Sequence, residues 1–372
     1  MPTLVRIFSA WLFCAVSVCA QNVDPQQLFQ QAIAAQQGGD NATAIRIYQG
    51  LLRDYPETVV VRVNLGALFA QLQRFDESIQ QYRAVLLSDP DNLPVRLNLA
   101  LAYQEKGDVG RATSELEFVH KRQPDNLQAS MLLADCYLRL QRYSEAILIA
   151  APLESSLPDD LDLAWVLGSA LIHSGRASEG LQRIDKVAAK AHSADAFFLA
   201  GETRLQRDDY DLARRDEDAA YQLNPALPGV LTLKGMILEH TGDYEGAEAA
   251  LNAALKANSQ DFNARYFLGA ILYFKRDLAG ARTQLEQALQ LSPQSAQARY
   301  ELALVARAEG KSEEALRELE MATRRNPSWI QPHIELSTLY YRLNRPDDGA
   351  REREIVDRLQ AAHADQPTAA TP

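Results

Sequence analysis

Catalysis and metal binding need particular side chains held at short range, and this sequence supplies few such constellations. The six histidines stand at 120, 173, 192, 240, 333 and 363. None has a second His or Cys three or four residues away that would share its helix face. There is no HExxH, no CxxC, no GxxxxGK[ST], and no GxGxxG after a strand-like run. The chain is therefore expected to hold no catalytic residue, no metal and no small-molecule cofactor, and not to be an enzyme. The 49 Asp and Glu outnumber the 38 Lys and Arg, for a formal net charge of −11. That balance argues against nucleic acid as a partner, because phosphate binding needs clustered cations. It argues equally against docking on anionic lipid.

The cysteines lead to the same place. The first twenty residues, MPTLVRIFSAWLFCAVSVCA, carry Arg6, an apolar run from Ile7 to Val18, and small residues up to Ala20. The polar stretch QNVDPQQ follows. The pattern is that of a secretory signal over residues 1–20, with a mature chain starting at Gln21. The run is short beside the roughly 20 residues of a membrane span, so a membrane association follows only if the signal is retained. The expected location is a bacterial periplasm or the extracellular space. Cleavage removes Cys14 and Cys19 and leaves Cys136 alone, so no disulfide framework exists. Cys136 reads as a small buried hydrophobe in a helix.

The elements that position everything else come from a repeat. Prolines fall at 56, 90, 124 and 158, then at 225, 293 and 327, on a 34-residue beat. A first series of small residues keeps that beat: Ala32, Gly66, Ala100, Ala134, Gly168, Gly201, Gly235, Gly269, Ala303, Ser337. A second runs Ala44, Ser78, Ala112, Ala146, Gly180, Ala213, Ala247, Ala281, Ala315, Gly349. Every step is 34 residues except one of 33. Within a unit the two small residues are separated by a polar turn such as EKGD or HTGD, suited to a helix end and a new N-cap. Each unit is thus two antiparallel helices whose backbones approach closely at the small residues. The proline ends the second helix. One such pair cannot bury both faces, so neighbouring pairs must stack.

RVNLGALF (62–69) with Ser78, Tyr82 and Pro90, and RLNLALAY (96–103) with Ala112, Leu116 and Pro124, resemble the tetratricopeptide repeat, a 34-residue unit of this pattern. The first Trp of that pattern is replaced by Arg62, Arg96, Arg265 and Arg299. The resemblance covers about ten units from Pro25 to Ala361. It implies an all-α fold, a right-handed α-α superhelix of helix-turn-helix units. The expected organisation is residues 21–192 for five units, 193–361 for five more with a charged cap helix, and a disordered tail at 362–372. The family is a scaffold with many partners, so the resemblance speaks for fold more than for function.

Places within a unit are numbered here so that the proline is place 32. Places 4, 7, 8 and 11 of the first helix face inward, and places 2, 5, 9 and 12 form the remaining stripe. In proteins of the family that stripe lines a concave groove that takes extended peptides or helices. Here it holds Met131, Trp165, Phe198, Tyr266, Tyr273, Tyr300 and Tyr341, where a solvated stripe would be charged. Contiguous apolar surface marks a binding site; the alternative is that these side chains bury one another. Asn64 and Asn98 stand at place 6, where family members hold a peptide backbone. No Lys or Arg stands at places 2, 5 or 6, so a clamp for a C-terminal carboxylate is not expected.

The 33-residue step falls in VAAKAHSADAF (187–197), where His192 replaces the proline and a bend or boundary is expected. The units beside it carry Arg204, Glu217 and Lys234 at places usually apolar. Glu217 is expected to pair with Arg204 or Lys234 in a partly buried cluster, the alternative being that RRDEDAA (214–220) leans into water. The expected function is a scaffold that holds an apolar or aromatic-rich protein or peptide in its groove. The alternative is an accessory subunit of a cell-envelope assembly or polysaccharide-export machine.

Overall fold

The computed structural model describes residues 24–364, and every regular element among them is helical. The signal expected over residues 1–20 lies outside the described residues, as does most of the tail beyond 361. The chain forms two compact units, Met1–Ile149 and Ala150–Pro372. The first holds the pairs α1 (Pro25–Gln37) and α2 (Asn41–Asp54), α3 (Val59–Gln71) and α4 (Phe75–Ser88), α5 (Leu93–Glu105) and α6 (Val109–Arg122), then α7 (Leu127–Arg139) and nearly all of α8 (Tyr143–Ala150). The second holds α9 (Leu161–His173) and α10 (Ala177–Ala191), α11 (Ala194–Leu205) and α12 (Tyr210–Leu223), α13 (Val230–His240) and α14 (Tyr244–Ala257). It continues with α15 (Phe262–Phe274) and α16 (Leu278–Leu291), α17 (Ala296–Ala308) and α18 (Ser312–Arg325), α19 (Ile330–Arg342) and α20 (Pro346–Ala364). These are the ten expected helix pairs.

One backbone device makes every pair. The fifteenth place of each unit is left-handed: Gly39, Gln73, Gly107, Gln141, Gly175, Asp208, Gly242, Arg276, Gly310 and Asn344 all have positive φ. Glycine alternates strictly with a side-chain-bearing residue. A left-handed residue ends the first helix and reverses the chain. The next residue caps the second helix: Asp40, Asp108, Asp243 and Asp277 each accept the N–H three residues on.

The helices then cross at the two small series, whose alanines are all 1% exposed or less. A Cβ on Gly235 would lie 2.5 Å from Leu251 Cγ, and one on Gly269 2.7 Å from Leu285 Cγ. At the fifth pair both partners are glycine. A Cβ on Gly180 would stand 2.6 Å from the Gly168 carbonyl oxygen, so there the backbones themselves are in contact. Leu65, Leu99, Leu133, Leu167, Leu268, Leu302 and Leu336 precede the first small residue and are buried.

The arginines that replace tryptophan at place 4 are struts. Arg62 Nε donates to Pro56 O at 3.0 Å and Arg96 Nε to Pro90 O at 2.9 Å. Arg265 donates to Ser259 O and Arg299 to Pro293 O. Each also reaches a side chain 19 residues on: Gln81, Glu115, Gln284 and Glu318 respectively. His333 does both jobs in the last pair, with Nε2 3.1 Å from Pro327 O and Nδ1 2.6 Å from Glu352. One side chain thus ties the carbonyl of the preceding loop to the second helix of its own pair.

The boundary expected near residue 192 is placed differently. The compact units divide at Ile149/Ala150, beside Pro152, where the second helix of the fourth pair tightens into a 3-10 turn over Ala151–Ser155. α10 and α11 belong to one unit and share a core of Ile184, Val187, Ala188, Ala196 and Ala200. His192 adopts the left-handed conformation, with φ 49°, and so closes the shortened loop without parting the helices.

Candidate functional site

The first helices of successive pairs approach one another within each compact unit: α3 and α5 in the first, then α9 to α11, α11 to α13, α13 to α15 and α15 to α17 in the second. The second helices of successive pairs do not approach to that degree among the described residues. The first helices α3 and α5, and α9 through α17, therefore share one side of their stacks, and the residues on the free faces of the first helices are the candidate site.

In the first unit Asn64 is not open-handed. Its Nδ2 donates to Val60 O at 2.8 Å, a bond within its own helix. Asn98 lines a cleft of about 570 Å³ together with Ala67, Ala70, Tyr82 and Glu105. Met131 is half-buried on α7. Cys136 is fully buried, and burial lifts its thiol to about 11, which makes it an unreactive packing residue.

In the second unit the rings divide their surface between core and solvent. Trp165 packs partly on the cluster around Ile184 and Ala200. Phe198 leans on Leu205, Leu233 and Ile237, and its ring closes against Gly229, where a Cβ would meet Cζ at 3.0 Å. Tyr266 stacks on Phe262 and takes the edge of Phe267, with centroids 6.2 and 5.0 Å away. Tyr266 and Tyr273 both pack on the core formed by Leu285, Leu302 and Val305. Tyr300 meets Trp329 at 4.8 Å. These five are half-buried, whereas Tyr341 is 51% exposed. Mutual burial and exposure were alternatives in the sequence; the geometry gives each ring some of both.

Carboxylates stand among these rings. Glu239 is on α13, Tyr266 on α15 and Glu301 on α17. Burial, then the charge of Glu239, pushes Glu301 up to about 7. Burial raises the Tyr266 phenol strongly, with Glu301, Glu239 and Tyr300 adding to the effect. On α11, Glu202 reaches solvent, yet the surrounding protein raises its carboxyl as well. Scoring the sign of charge at places 6, 9 and 12, rather than aromaticity, finds all three in the sequence.

Of the two partners open to Glu217 in the sequence, the structure places Lys234 beside it. Lys234 Nζ is 3.7 Å from Glu217 Oε2 and equally far from Asp218 Oδ1. Arg204 does not join Glu217. It turns to Asp185, whose Oδ2 is 2.8 Å from Nη2, and to Asp216. Those acids lie on the flanking second helices α10 and α12, so the guanidinium fork finds two carboxylates without crossing the core. Glu217 is 1% exposed rather than solvated, and its Oε1 lacks a hydrogen-bond partner. Among the described residues no group of His, Cys, Asp and Glu is arranged to hold a metal. No helix among them is long and apolar enough to cross a membrane.

Comparison with known proteins agrees with this geometry. Two family models, both described as tetratricopeptide repeat, match residues 29–92, 97–153 and 232–285, and residues 275–334. No curated protein matches the chain. Among solved structures, the anaphase-promoting complex hetero-tetramer Cut9-Hcn1 is similar at 13% identity and TM-score 0.56, covering 90% of this chain and 87% of that one. Yeast Tom70 is similar at 14% identity and TM-score 0.42, over 94% and 97% of the two chains. MamA from Desulfovibrio magneticus RS-1 is similar at 23% identity and TM-score 0.41, over 47% of this chain and 97% of its own.

Proposed function

The chain belongs to the tetratricopeptide repeat family, and from that premise we propose that it is a non-catalytic scaffold that holds a protein or peptide against the inner faces of its first helices. The observation that carries this reading is the row of half-buried rings, Trp165, Phe198, Tyr266, Tyr273 and Tyr300. They lie on four of the first helices of one compact unit, α9, α11, α15 and α17, where unpartnered helix faces are ordinarily charged. A ring with one side on the core and one toward solvent is a rigid anchor that loses little entropy on binding. No side-chain constellation among the described residues supports a reaction instead.

The test is capture of partners by the full chain from a cell-envelope extract, comparing wild type with Trp165→Ala/Tyr266→Ala. Loss of partners in the double variant, with an unchanged helical signal, supports the reading; full retention contradicts it. Export is part of the same proposal and rests on Arg6, the apolar run from Ile7 to Val18 and the polar switch after Ala20. N-terminal sequencing of the protein from its native host is expected to start at Gln21, and a start at Met1 would refute that part.

A further inference from the structure

The inner face of the second compact unit is not only aromatic. Places 2, 5, 6, 9 and 12 of its first helices hold Asp162, Asp195, Glu202, Glu239, Glu301 and Glu335 against a single Lys or Arg, Arg307. That arginine is already held in an ion pair by Glu335. Glu239 has a neighbouring imidazole, His240 Nδ1, 2.8 Å from Oε2. The Glu301 carboxylate makes no hydrogen bond or ion pair among the described residues, and neither does that of Glu202. The cations of these pairs point elsewhere. Lys234 faces Glu217, Lys275 faces Glu245 and Glu248, and Arg282 faces Glu309 and Glu314.

We propose, building on the groove reading above, that the occupant of this face is an extended peptide segment carrying Lys or Arg. Its cation would sit between Glu239 and Glu301 over the Tyr266 ring, with apolar neighbours against Tyr273 and Tyr300. The argument is charge complementarity on an apolar wall. Carboxylates in a poorly solvated place repel one another; Glu301 is raised by burial first and then by the charge of Glu239, and no Lys or Arg of the chain pairs with either. A guanidinium or ammonium relieves both at once and finds the face of a tyrosine, which attracts cations. An acidic or phosphorylated segment meets the same carboxylates as repulsion. The selectivity is thus opposite to that of a clamp for a C-terminal carboxylate, which needs the lysines and arginines this face lacks.

Fluorescence anisotropy on the full chain tests this with a short labelled peptide in which arginine alternates with leucine. A matching peptide with glutamine for arginine, and unlabelled spermine as competitor, complete the set. The arginine peptide is expected to bind roughly tenfold or more tightly than the glutamine peptide. Its affinity should fall as salt is raised. Glu239→Gln/Glu301→Gln should abolish the preference while leaving the glutamine peptide bound as in wild type. Both single Gln variants are run alongside, and neutralising carboxylates that repel each other should not lower the melting temperature. If both peptides bind equally and both are lost in Tyr266→Ala/Tyr300→Ala, the groove reading stands and the cationic partner is refuted. If spermine displaces the peptide at matched charge concentration, the site takes small cations and the proposal fails. If neither peptide binds, the groove reading falls with it.

Discussion

Lys234 Nζ lies 3.7 Å from one Glu217 oxygen, and the other Glu217 oxygen has no hydrogen-bond partner among the described residues. A carboxylate this buried and this poorly matched is a liability while it is charged. Burial, only partly offset by Lys234, lifts Glu217 from 4.5 to about 7. The native state therefore holds a proton that the unfolded chain releases near pH 4.5. Stability from this group falls as pH rises from about 4.5 to 7 and stays low above that, by roughly 3 kcal/mol if fully expressed. Glu217→Gln should raise the melting temperature at pH 8 and leave it nearly unchanged at pH 4. Lys234→Met should cost roughly 1–3 kcal/mol at pH 8, with the deficit shrinking at pH 5 where Glu217 is protonated. A Glu217→Gln variant less stable than wild type at pH 8 would contradict this.

The left-handed fifteenth place gives a second prediction. Gln73, Gln141 and Arg276 hold a conformation that costs a side-chain-bearing residue about 1–2 kcal/mol. Gln73→Gly and Arg276→Gly are expected to stabilise the chain by about 0.5–1 kcal/mol each, after the added flexibility of the unfolded state is subtracted. Gly107→Ala should destabilise by a similar amount, with φ at 85°. Urea melts of the three variants check the signs.

The helix crossings differ in what a methyl group would strike. At Gly180 it strikes the Gly168 carbonyl oxygen and the Ile172 backbone nitrogen, at 2.6 and 2.9 Å, neither of which has a rotamer to change. Gly180→Ala should cost about 2–3 kcal/mol. At Gly201 the nearest atoms are Leu233 Cδ2 at 3.2 Å, the end of a side chain that adjusts, and the Ala213 carbonyl oxygen at 3.3 Å, an approach that a shift of a few tenths of an ångström relieves. Gly201→Ala should fall within about 1 kcal/mol of wild type, because helix propensity favours Ala. Equal losses at the two sites would show that the crossings are looser than the backbone contact implies.

The place-4 struts give a fourth. Arg299 donates to Glu318 Oε2 at 2.9 Å and to Pro293 O at 2.9 Å, with both charged side chains about five-sixths covered. Arg299→Met should cost about 1.5–3 kcal/mol, and adding Glu318→Gln should cost less than the sum of the two single changes. Additive losses in that double-mutant cycle would mean the two side chains do not act as one unit.

These predictions mark how far the sequence reaches. The 34-residue beat locates Gly235, Ala247, Leu268 and their equivalents in the core, because close helix crossings tolerate few side chains and therefore repeat visibly. The strut pairing was equally periodic, at a constant 19 residues, but Arg62 and Arg96 read only as missing tryptophans until their partners' positions were known. The left-handed place was half hidden, since five of its ten residues are not glycine and carry no local mark of positive φ. The sequence left Arg204 and Lys234 as alternatives for Glu217, because a guanidinium chooses among carboxylates by geometry. Asp185 and Asp216 are nearer than Glu217 only once α10 and α12 flank α11. At the site, the rings stood out as departures from a charged stripe. Glu239 and Glu301 did not, because a carboxylate on a helix is unremarkable in sequence until the fold shows which carboxylates share its surroundings.

The most direct test of the inner face as the docking surface is site-specific photo-crosslinking with the arginine–leucine peptide. A photoreactive side chain is placed at Tyr273, on the inner wall, and separately at Leu148 and Leu87. Those two leucines are 72% and 87% exposed on second helices and are the most exposed large hydrophobics among the described residues. The inner-face account predicts a crosslinked product from position 273, reduced by unlabelled peptide, and none from 148 or 87. Crosslinking from either leucine position with none from 273 would contradict it.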